Sequence, residues 1–182
     1  MKPRSLKLLC IAAVIVTSCH NYSPVQESIK ATFDKEVQLK MFKTVVKQGE
    51  DIPLNEILDK YRYISLVYLR QDCEPCYEKY IDWHEKMDSI GIWENYTILF
   101  VIVGRNFDEF ISEVNLISDV DEFLYTVMDK NNIFLDTNNH IPEWIFDLSV
   151  IIDHNKKIKM IGAPFHSEEL TKQYNNLCKH AI

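Results

Sequence analysis

The pattern of apolar and polar positions divides the chain into predicted strands and helices. Two continuously apolar runs, residues 64–69 and 97–103, are typical of strands in a parallel sheet that is covered on both faces. Between them, apolar or large side chains recur at helical spacing, at Cys76, Tyr80, Trp83, Met87 and Ile90. The order strand, helix, strand predicts a parallel crossover unit.

The later segments continue the alternation. Residues 107–117 are predicted as a helix and residues 123–127 as a strand. Two short apolar runs, 148–152 and 157–161, flank a polar turn and predict an antiparallel hairpin on the other side of the sheet. A last helix is predicted over 167–179, with Ser167 as its N-cap. The order β-α-β-α-β and then β-β-α predicts a three-layer α/β/α fold with a mixed central sheet.

Ahead of the first apolar run, the patterns are weaker. Residues 36–46 fit either a strand or a short helix, and residues 56–61 fit a short helix with Asn55 as its cap. Residues 19–35 are polar and show little periodicity, so we interpret them as a tether. One domain is therefore expected over residues 36–182.

The N-terminus has the features of an export sequence. Lys2, Arg4 and Lys7 precede an apolar run, residues 8–16, that is short for a membrane span. The small residues that follow, ending in Cys19, resemble a bacterial lipobox. We expect a signal peptide over residues 1–18, cleavage before Cys19 and a lipid on that cysteine. The alternative is an ordinary secretory signal in which Cys19 is incidental.

Lipidation of Cys19 would attach the chain to a membrane, because no later apolar segment is long enough to span one. We expect a lipid-anchored protein of the bacterial cell envelope, with its domain in the periplasm or outside the cell. These compartments permit disulfide bonds.

Composition and charge limit the classes of partner. A hydrophobic content of 47% is enough to fill one core. Removing Lys2, Arg4 and Lys7 from the 20 basic residues leaves 17 against 27 acidic residues, a net charge near −10. Because no basic stripe is present to neutralise phosphates, we expect no nucleic-acid partner.

The five cysteines have separate expected roles. Cys10 lies in the export sequence and Cys19 at the lipobox, so an odd number remains: Cys73, Cys76 and Cys178. An odd number argues against a scaffold of disulfides. We expect Cys178 to be a buried small apolar residue on the last helix, the alternative being a resolving thiol.

The Cys73-Glu74-Pro75-Cys76 sequence is the main candidate for chemistry. It falls between a predicted strand and a predicted helix. The backbone N–H groups and the dipole of a helix N-terminus stabilise a thiolate, which is the form that attacks disulfides. A CxxC pair in this context predicts a thiol-disulfide exchange site.

The element order and this motif together resemble the thioredoxin fold, and more narrowly the membrane-anchored TlpA-like and redoxin-like lipoproteins of the Bacteroidetes. The resemblance covers residues 50–180 and includes Val67-Tyr68-Leu69 before the CxxC, the strand-turn-strand of residues 150–158, and Gly162 at the end of the last strand.

The resemblance implies a mechanism and partners. It makes Cys73 the attacking thiolate, Cys76 the buried resolving thiol and Pro75 the residue that starts the helix. It also implies protein disulfide substrates, an electron donor in the membrane or periplasm, and no cofactor.

The sequence departs from this family at the strand that faces the CxxC. The family has a cis-proline there, but Asp147 occupies the matching position, Leu148 follows it, and the nearest proline is Pro142. We expect the cis-proline to be absent. In the alternative, Pro142 lies on a longer loop that reaches the site, and these three residues are the candidate substrate-docking positions.

Two carboxylates flank the first cysteine. Asp72 precedes Cys73 and Glu74 follows it. Because like charges near the sulfur disfavour the thiolate, the reduced form is stabilised less and the pair is expected to be reducing. Arg70 is a candidate counter-charge that would offset part of this effect.

Two other functions fit the same residues. In the first, the domain is a redox-inactive thioredoxin-fold module that binds a partner or supports an envelope complex. In the second, His84 and His140 join the cysteine pair as ligands for Cu(I) or Zn in a copper chaperone. We expect no metal site, because His84 lies two turns along the helix from the sulfurs.

Overall fold

The computed structural model describes residues 23–120 and 124–179. The predicted signal peptide and Cys19 lie outside the described residues. Within them, seven strands form one sheet, and their bounds are β1 Thr44–Lys47, β2 Glu50–Pro53, β3 Tyr63–Arg70, β4 Tyr96–Val103, β5 Tyr125–Asp129, β6 Val150–Asp153 and β7 Ile158–Ile161. The α-helices are α1 Pro24–Thr32, α2 Leu54–Lys60, α3 Glu74–Ile90, α4 Phe107–Asn115, α5 Ile133–Thr137, α6 Glu143–Leu148 and α7 Glu168–Lys179.

The sheet is mixed, as the sequence predicts. Its strand order is β2-β1-β5-β4-β3-β6-β7. The strands β3, β4 and β5 pair in parallel, whereas β6 runs antiparallel to β3 and forms a hairpin with β7. The chain thus moves from β3 to one side of the sheet through β4 and β5, and then crosses to the other side of β3.

Helices cover both faces of the sheet. Alternate residues of β3 point to opposite faces, so Leu66 packs in one core and Val67 in the other. One core lies against α2, α5 and α6, and contains Phe134 and Phe146. The other lies against α3, α4 and α7, and contains Trp83. This confirms the expected three-layer arrangement.

The long predicted helices are present. Residues 75–90 and 107–117 were expected to be helical, and the structure has α3 and α4 over nearly the same residues. The last helix, α7, begins after Ser167, whose hydroxyl accepts a hydrogen bond from the Leu170 N–H at 3.2 Å. This is the predicted N-cap.

The segment predicted as a tether contains helix α1. A capping box explains its N-terminus: the Gln26 N–H donates to the Ser23 hydroxyl at 3.3 Å, and the Ser23 N–H donates to the Gln26 side chain at 3.0 Å. Thr32 at the other end is fully buried, and Ile29 packs against the sheet. The folded part of the chain therefore begins before residue 36.

The region before β3 also differs from the prediction. Residues 36–46 are mostly irregular, although Val37 and Leu39 are buried, and the strand β1 begins only at Thr44. The helix predicted over 56–61 exists as α2 and begins two residues earlier, at Leu54, so its N-cap is Pro53, with no side-chain cap. The prediction that Asn55 caps this helix is wrong.

Two short helices, α5 and α6, occupy what the sequence pattern left as a connection. Both Asp129 carboxylate oxygens accept hydrogen bonds at the start of α5, from the N–H groups of Ile133 at 2.9 Å and Phe134 at 2.8 Å. Leu148 ends α6, so its assignment to the following strand is wrong. Helices of five and six residues are too short to show a repeating pattern.

Candidate active site

The CxxC pair lies at the carboxyl end of the central strand β3. Parallel neighbours follow β3 in the chain on one side, and β6 pairs on its other side. This is the position where the direction of chain progression reverses, and side chains at such points in open α/β sheets are open to ligands.

The backbone presents Cys73 as the N-cap of α3. Cys73 is extended, with φ −141° and ψ 99°, and its carbonyl accepts a hydrogen bond from the Cys76 N–H at 2.8 Å. Pro75 lies in the first turn, where an N–H has no helical partner to lose. The motif therefore starts the helix as the sequence predicts.

Cys73 and Cys76 form a disulfide with their Cα atoms 5.2 Å apart. This separation is within the usual range for disulfides. Both cysteines are partly buried, and Cys76 packs against the core beneath α3. The pair can be opened by an external thiol or, when reduced, can act on an external disulfide.

The segment before Cys73 is held by the side chain of Gln71. Its Oε1 accepts hydrogen bonds from the N–H groups of Arg105 at 2.7 Å and Asn106 at 3.1 Å, and its Nε2 donates to Glu109 at 2.7 Å. Gln71 packs directly on Gly104, where an added Cβ would clash with the Gln71 side chain. The sequence analysis missed this residue.

The two flanking carboxylates, on Asp72 and Glu74, are exposed. Arg70, the expected counter-charge, has its guanidinium 3.8 Å from the Asp147 carboxylate, and both side chains are about half exposed. An exposed pair at this separation contributes little to stability. Arg70, the last residue of β3, is thus close to α6.

A lysine on α3 joins β3 to the end of α6. The Lys79 ammonium donates to the carbonyls of Tyr68 at 3.2 Å and Asp147 at 2.9 Å. Burial lowers the pKa of Lys79 to about 8, and the Asp147 charge opposes that shift. The sequence analysis also missed Lys79, although its spacing from Cys76 places both on one side of the helix.

A groove of about 450 Å³ lies beside the motif. Pro75 and Lys79 line it from α3, Leu148 from the end of α6, and Ala163 and Phe165 from the segment after β7. Leu148 is 46% exposed. The groove offers a mostly apolar surface next to the disulfide.

The three candidate docking residues separate in the structure. Asp147 and Leu148 line the groove beside the pair. Pro142 is the N-cap of α6 and lines a different groove, together with Asn132 and Asp136. No cis peptide bond occurs in residues 23–120 and 124–179.

The histidines considered as metal ligands lie apart. His84 is buried in the middle of α3 and stacks on Phe100, with ring centroids 5.4 Å apart. The His140 Nε2 is 3.0 Å from the Glu36 carbonyl. Among the described residues, no group of three or more His, Cys, Asp or Glu side chains is placed to hold a metal ion.

Cys178 is a free cysteine buried in α7. Burial raises the pKa of its thiol to about 12. This confirms the expectation of a buried apolar role. In the part of the chain that the structure describes, no helix is both long and apolar enough to cross a membrane.

No protein-family model matches the chain, and no curated protein is significantly similar to it in sequence. Solved structures are similar in fold. A thiol-disulfide oxidoreductase from Bacteroides fragilis has a TM-score of 0.54 at 14% identity, with 79% of this chain and 99% of that chain covered.

Two further structures give the same result. The thioredoxin domain of a thiol-disulfide oxidoreductase from Bacteroides vulgatus has a TM-score of 0.51 at 15% identity, covering 80% of this chain and 97% of that chain. Thioredoxin from Wuchereria bancrofti has a TM-score of 0.52 at 12% identity, covering 76% and 95%. With its mixed sheet and the Cys73–Cys76 disulfide at the start of α3, the chain has a thioredoxin-like fold.

Proposed function

We propose that this protein is an extracytoplasmic thiol-disulfide oxidoreductase that reduces disulfides of exported proteins. The observation that carries the proposal is the Cys73–Cys76 disulfide at the N-terminus of α3, in a thioredoxin-like fold. The groove beside Pro75 gives an extended segment of a substrate protein a place to lie.

The exchange proceeds in two steps. The Cys73 thiolate attacks one sulfur of the substrate disulfide, the substrate S–S bond breaks, and the other substrate sulfur leaves as a thiolate. The Cys76 thiolate then attacks Cys73 Sγ, breaks the mixed disulfide and releases the second substrate thiolate. The substrate gains two electrons and two protons, and the pair becomes a disulfide. An external dithiol in the membrane or periplasm must reduce it again.

Charge supports the reducing direction. Asp72 and Glu74 are exposed on either side of Cys73, whereas the guanidinium of Arg70 lies near Asp147. The carboxylates oppose the helix dipole and destabilise the Cys73 thiolate. A less stable reduced form gives a lower reduction potential.

The proposed location rests on the N-terminal sequence. The charged residues, the apolar run of residues 8–16 and Cys19 together support lipid attachment. We propose a bacterial lipoprotein related in kind to the TlpA-like proteins, with its domain in the periplasm or outside the cell.

Reduction of insulin by the full-length protein, with dithiothreitol as the electron source, tests the activity. Wild type is expected to accelerate the reaction, and Cys73→Ser is expected to reduce the rate to that without protein. Cys178→Ala is the matched control, because it removes a buried free thiol on α7 whose carbonyl accepts a hydrogen bond from Asn95, just before β4, and it should retain the wild-type rate. Equal rates for wild type and Cys73→Ser would reject the proposal.

The second candidate is a redox-inactive binding module. It is favoured by the ending of α6 at Leu148, which places a helix end and Asp147 where the resembled family has its cis-proline. In this case, wild-type insulin reduction equals the rate without protein, although the fold and the Cys73–Cys76 disulfide are intact.

A further inference from the structure

We propose that Gln71 is a positioning residue for the Cys73 thiolate, because its side chain fixes the segment that holds Cys73 at the N-terminus of α3. The proposal rests on the attacking role of Cys73 in the proposed function. It adds a residue outside the CxxC motif that controls the reactivity of the pair.

The position of the Cys73 sulfur depends on its backbone. Cys73 is the N-cap of α3, and N-cap side chains accept hydrogen bonds from the N–H groups of the second and third helical residues. Pro75 is second and has no N–H, and the Cys76 N–H already donates to the Cys73 carbonyl at 2.8 Å. The Cys73 thiolate is therefore stabilised by the field of the helix N-terminus, which falls off within one turn, so a displacement of Cys73 weakens this stabilisation.

The side chain of Gln71 is hydrogen-bonded to two neighbouring segments, the connection between β4 and α4 and the start of α4. Its Oε1 accepts from the backbone N–H groups of Arg105 and Asn106 in the connection between β4 and α4. Its Nε2 donates to Glu109 in the first turn of α4, at 2.7 Å. The side chain thereby uses both acceptor sites of its oxygen and one donor of its nitrogen.

The backbone of Gln71 is held as well. Its N–H donates to the Val103 carbonyl at the end of β4 at 2.8 Å. Its carbonyl accepts a hydrogen bond from the Tyr77 hydroxyl in α3. Because Tyr77 follows Cys76, contacts of Gln71 connect the segments on both sides of the cysteine pair.

Gly104 makes the contact with Gln71 close. An added Cβ at Gly104 would overlap the Gln71 Oε1 and Cβ atoms. Gly104 is not among the glycines with positive φ, so this packing, and not a left-handed backbone, explains the glycine.

Other charges act on the same thiolate. Asp72 and Glu74 flank it on its own segment, Glu109 and Arg105 line the neighbouring groove from α4 and the turn before it, and Lys79 lies on α3. A test of Gln71 must therefore hold the total charge constant while it changes the hydrogen bonds.

Two variants meet this requirement: Gln71→Met, and the exchange of the side chains of Gln71 and Glu109. Gln71→Met removes the side-chain hydrogen bonds and keeps a side chain of similar size. Gln71→Glu keeps an acceptor for Arg105 and Asn106 but opposes Glu109. Adding Glu109→Gln restores a donor to the carboxylate at position 71 and returns the charge to that of wild type.

The measurement is the rate of alkylation of Cys73 by iodoacetamide in the reduced full-length protein, from pH 5 to pH 10, with the site located by peptide mass spectrometry. Gln71→Met and Gln71→Glu are expected to react about two- to five-fold more slowly at pH 7, with the midpoint moved to higher pH. The double variant Gln71→Glu/Glu109→Gln is expected to recover the wild-type midpoint.

Gln173→Met is the matched control, because Gln173 also contacts a glutamate, Glu169, but lies on α7. It should leave the profile unchanged. A wild-type profile for Gln71→Met, or a double variant as slow as Gln71→Glu, would overturn the proposal. If Gln71→Met fails to fold, Gln71→Ala, which also removes the side-chain hydrogen bonds without changing the charge, takes its place in this comparison. Alkylation needs no substrate turnover, so this result is independent of the insulin assay.

Discussion

His84 shows how burial changes the behaviour of a single side chain. It is only 4% exposed and packs against the rings of Tyr80 and Phe100. Burial lowers the pKa of His84 to about 4 from its ordinary value of 6.5. Between pH 4 and pH 6.5 the unfolded chain therefore binds more protons here than the folded protein, and stability falls as the pH falls through this window.

Replacement of His84 by leucine should weaken this pH dependence. The free energy of unfolding of wild type should drop between pH 6.5 and pH 4, with about 2–3 kcal/mol of the drop due to His84. In His84→Leu that part should be missing, as measured by urea unfolding across the pH range. His154→Leu, at an exposed turn, is the control. An equal drop in wild type and His84→Leu would show that another group carries the effect.

At the residue scale, the sequence predicted the groups that belong to a local motif. Cys73, Pro75 and Cys76 are adjacent in the chain, so their helix-start geometry follows from four residues. Gln71 and Lys79 could not be identified, because their partners, Glu109 and Asp147, are distant in sequence and are brought close only by the fold.

At the scale of one element, the N-terminus of α3 sets the chemistry of the pair. The helix dipole favours a thiolate at Cys73, and the carboxylates of Asp72 and Glu74 oppose it. Both effects are of similar size at an exposed site, about 0.3–1 kcal/mol each. The balance between them shifts the reduction potential of the pair.

Neutralising the two carboxylates should make the pair more oxidising. Asp72→Asn/Glu74→Gln is expected to raise the reduction potential by about 10–30 mV, because the thiolate of the reduced form is stabilised. Equilibration with glutathione buffers measures this potential. Glu56→Gln/Asp59→Asn on α2 is the control. These exposed acids lie on the helix that precedes the start of β3, whereas the CxxC follows the end of that strand. A lower potential in the first variant would contradict the electrostatic argument.

Elements with a strong repeating pattern were predictable, and short or capped ones were not. The buried strands β3 and β4 and the helix α3 follow from continuous or periodic apolar positions. Helix α1 depends on its capping box, which starts at Ser23, and α5 on hydrogen bonds that its first N–H groups donate to the Asp129 carboxylate. These contacts form helices where the sequence is polar, as in α1, or too short to show a period, as in α5.

At the scale of the whole molecule, the N-terminal sequence predicts that the domain is attached to a membrane. The helix α1 begins at Pro24, five residues after Cys19. A lipid on Cys19 would therefore hold the folded domain close to the membrane surface, since only a few residues separate the two.

Fractionation of cells that express the full-length protein tests this anchoring. Wild type is expected in the membrane fraction and to remain there after a carbonate wash. Cys19→Ala is expected to keep the uncleaved export sequence or to be released as a soluble form, and to lose labelling by a radioactive fatty acid. Soluble, unlabelled wild-type protein would show that Cys19 is not lipidated.

The overall fold was predictable because its main strands and helices alternate along the chain and have clear apolar patterns. The crossover from β3 through α3 to β4 places the CxxC at the carboxyl end of the sheet. The final hairpin and α7 complete the other side. The position of α6, which contains Asp147, was not predictable, because a helix of six residues leaves no periodic pattern.

The most direct test of thiol-disulfide exchange is trapping of its covalent intermediate. Reduced Cys76→Ser, incubated with a disulfide-containing protein such as insulin, should form a mixed disulfide on Cys73 that dithiothreitol releases. Intact mass and peptide mapping locate the bond, and Cys73→Ser should form none. An adduct at Cys178, or no adduct in Cys76→Ser, would contradict the assignment of Cys73 as the attacking thiol.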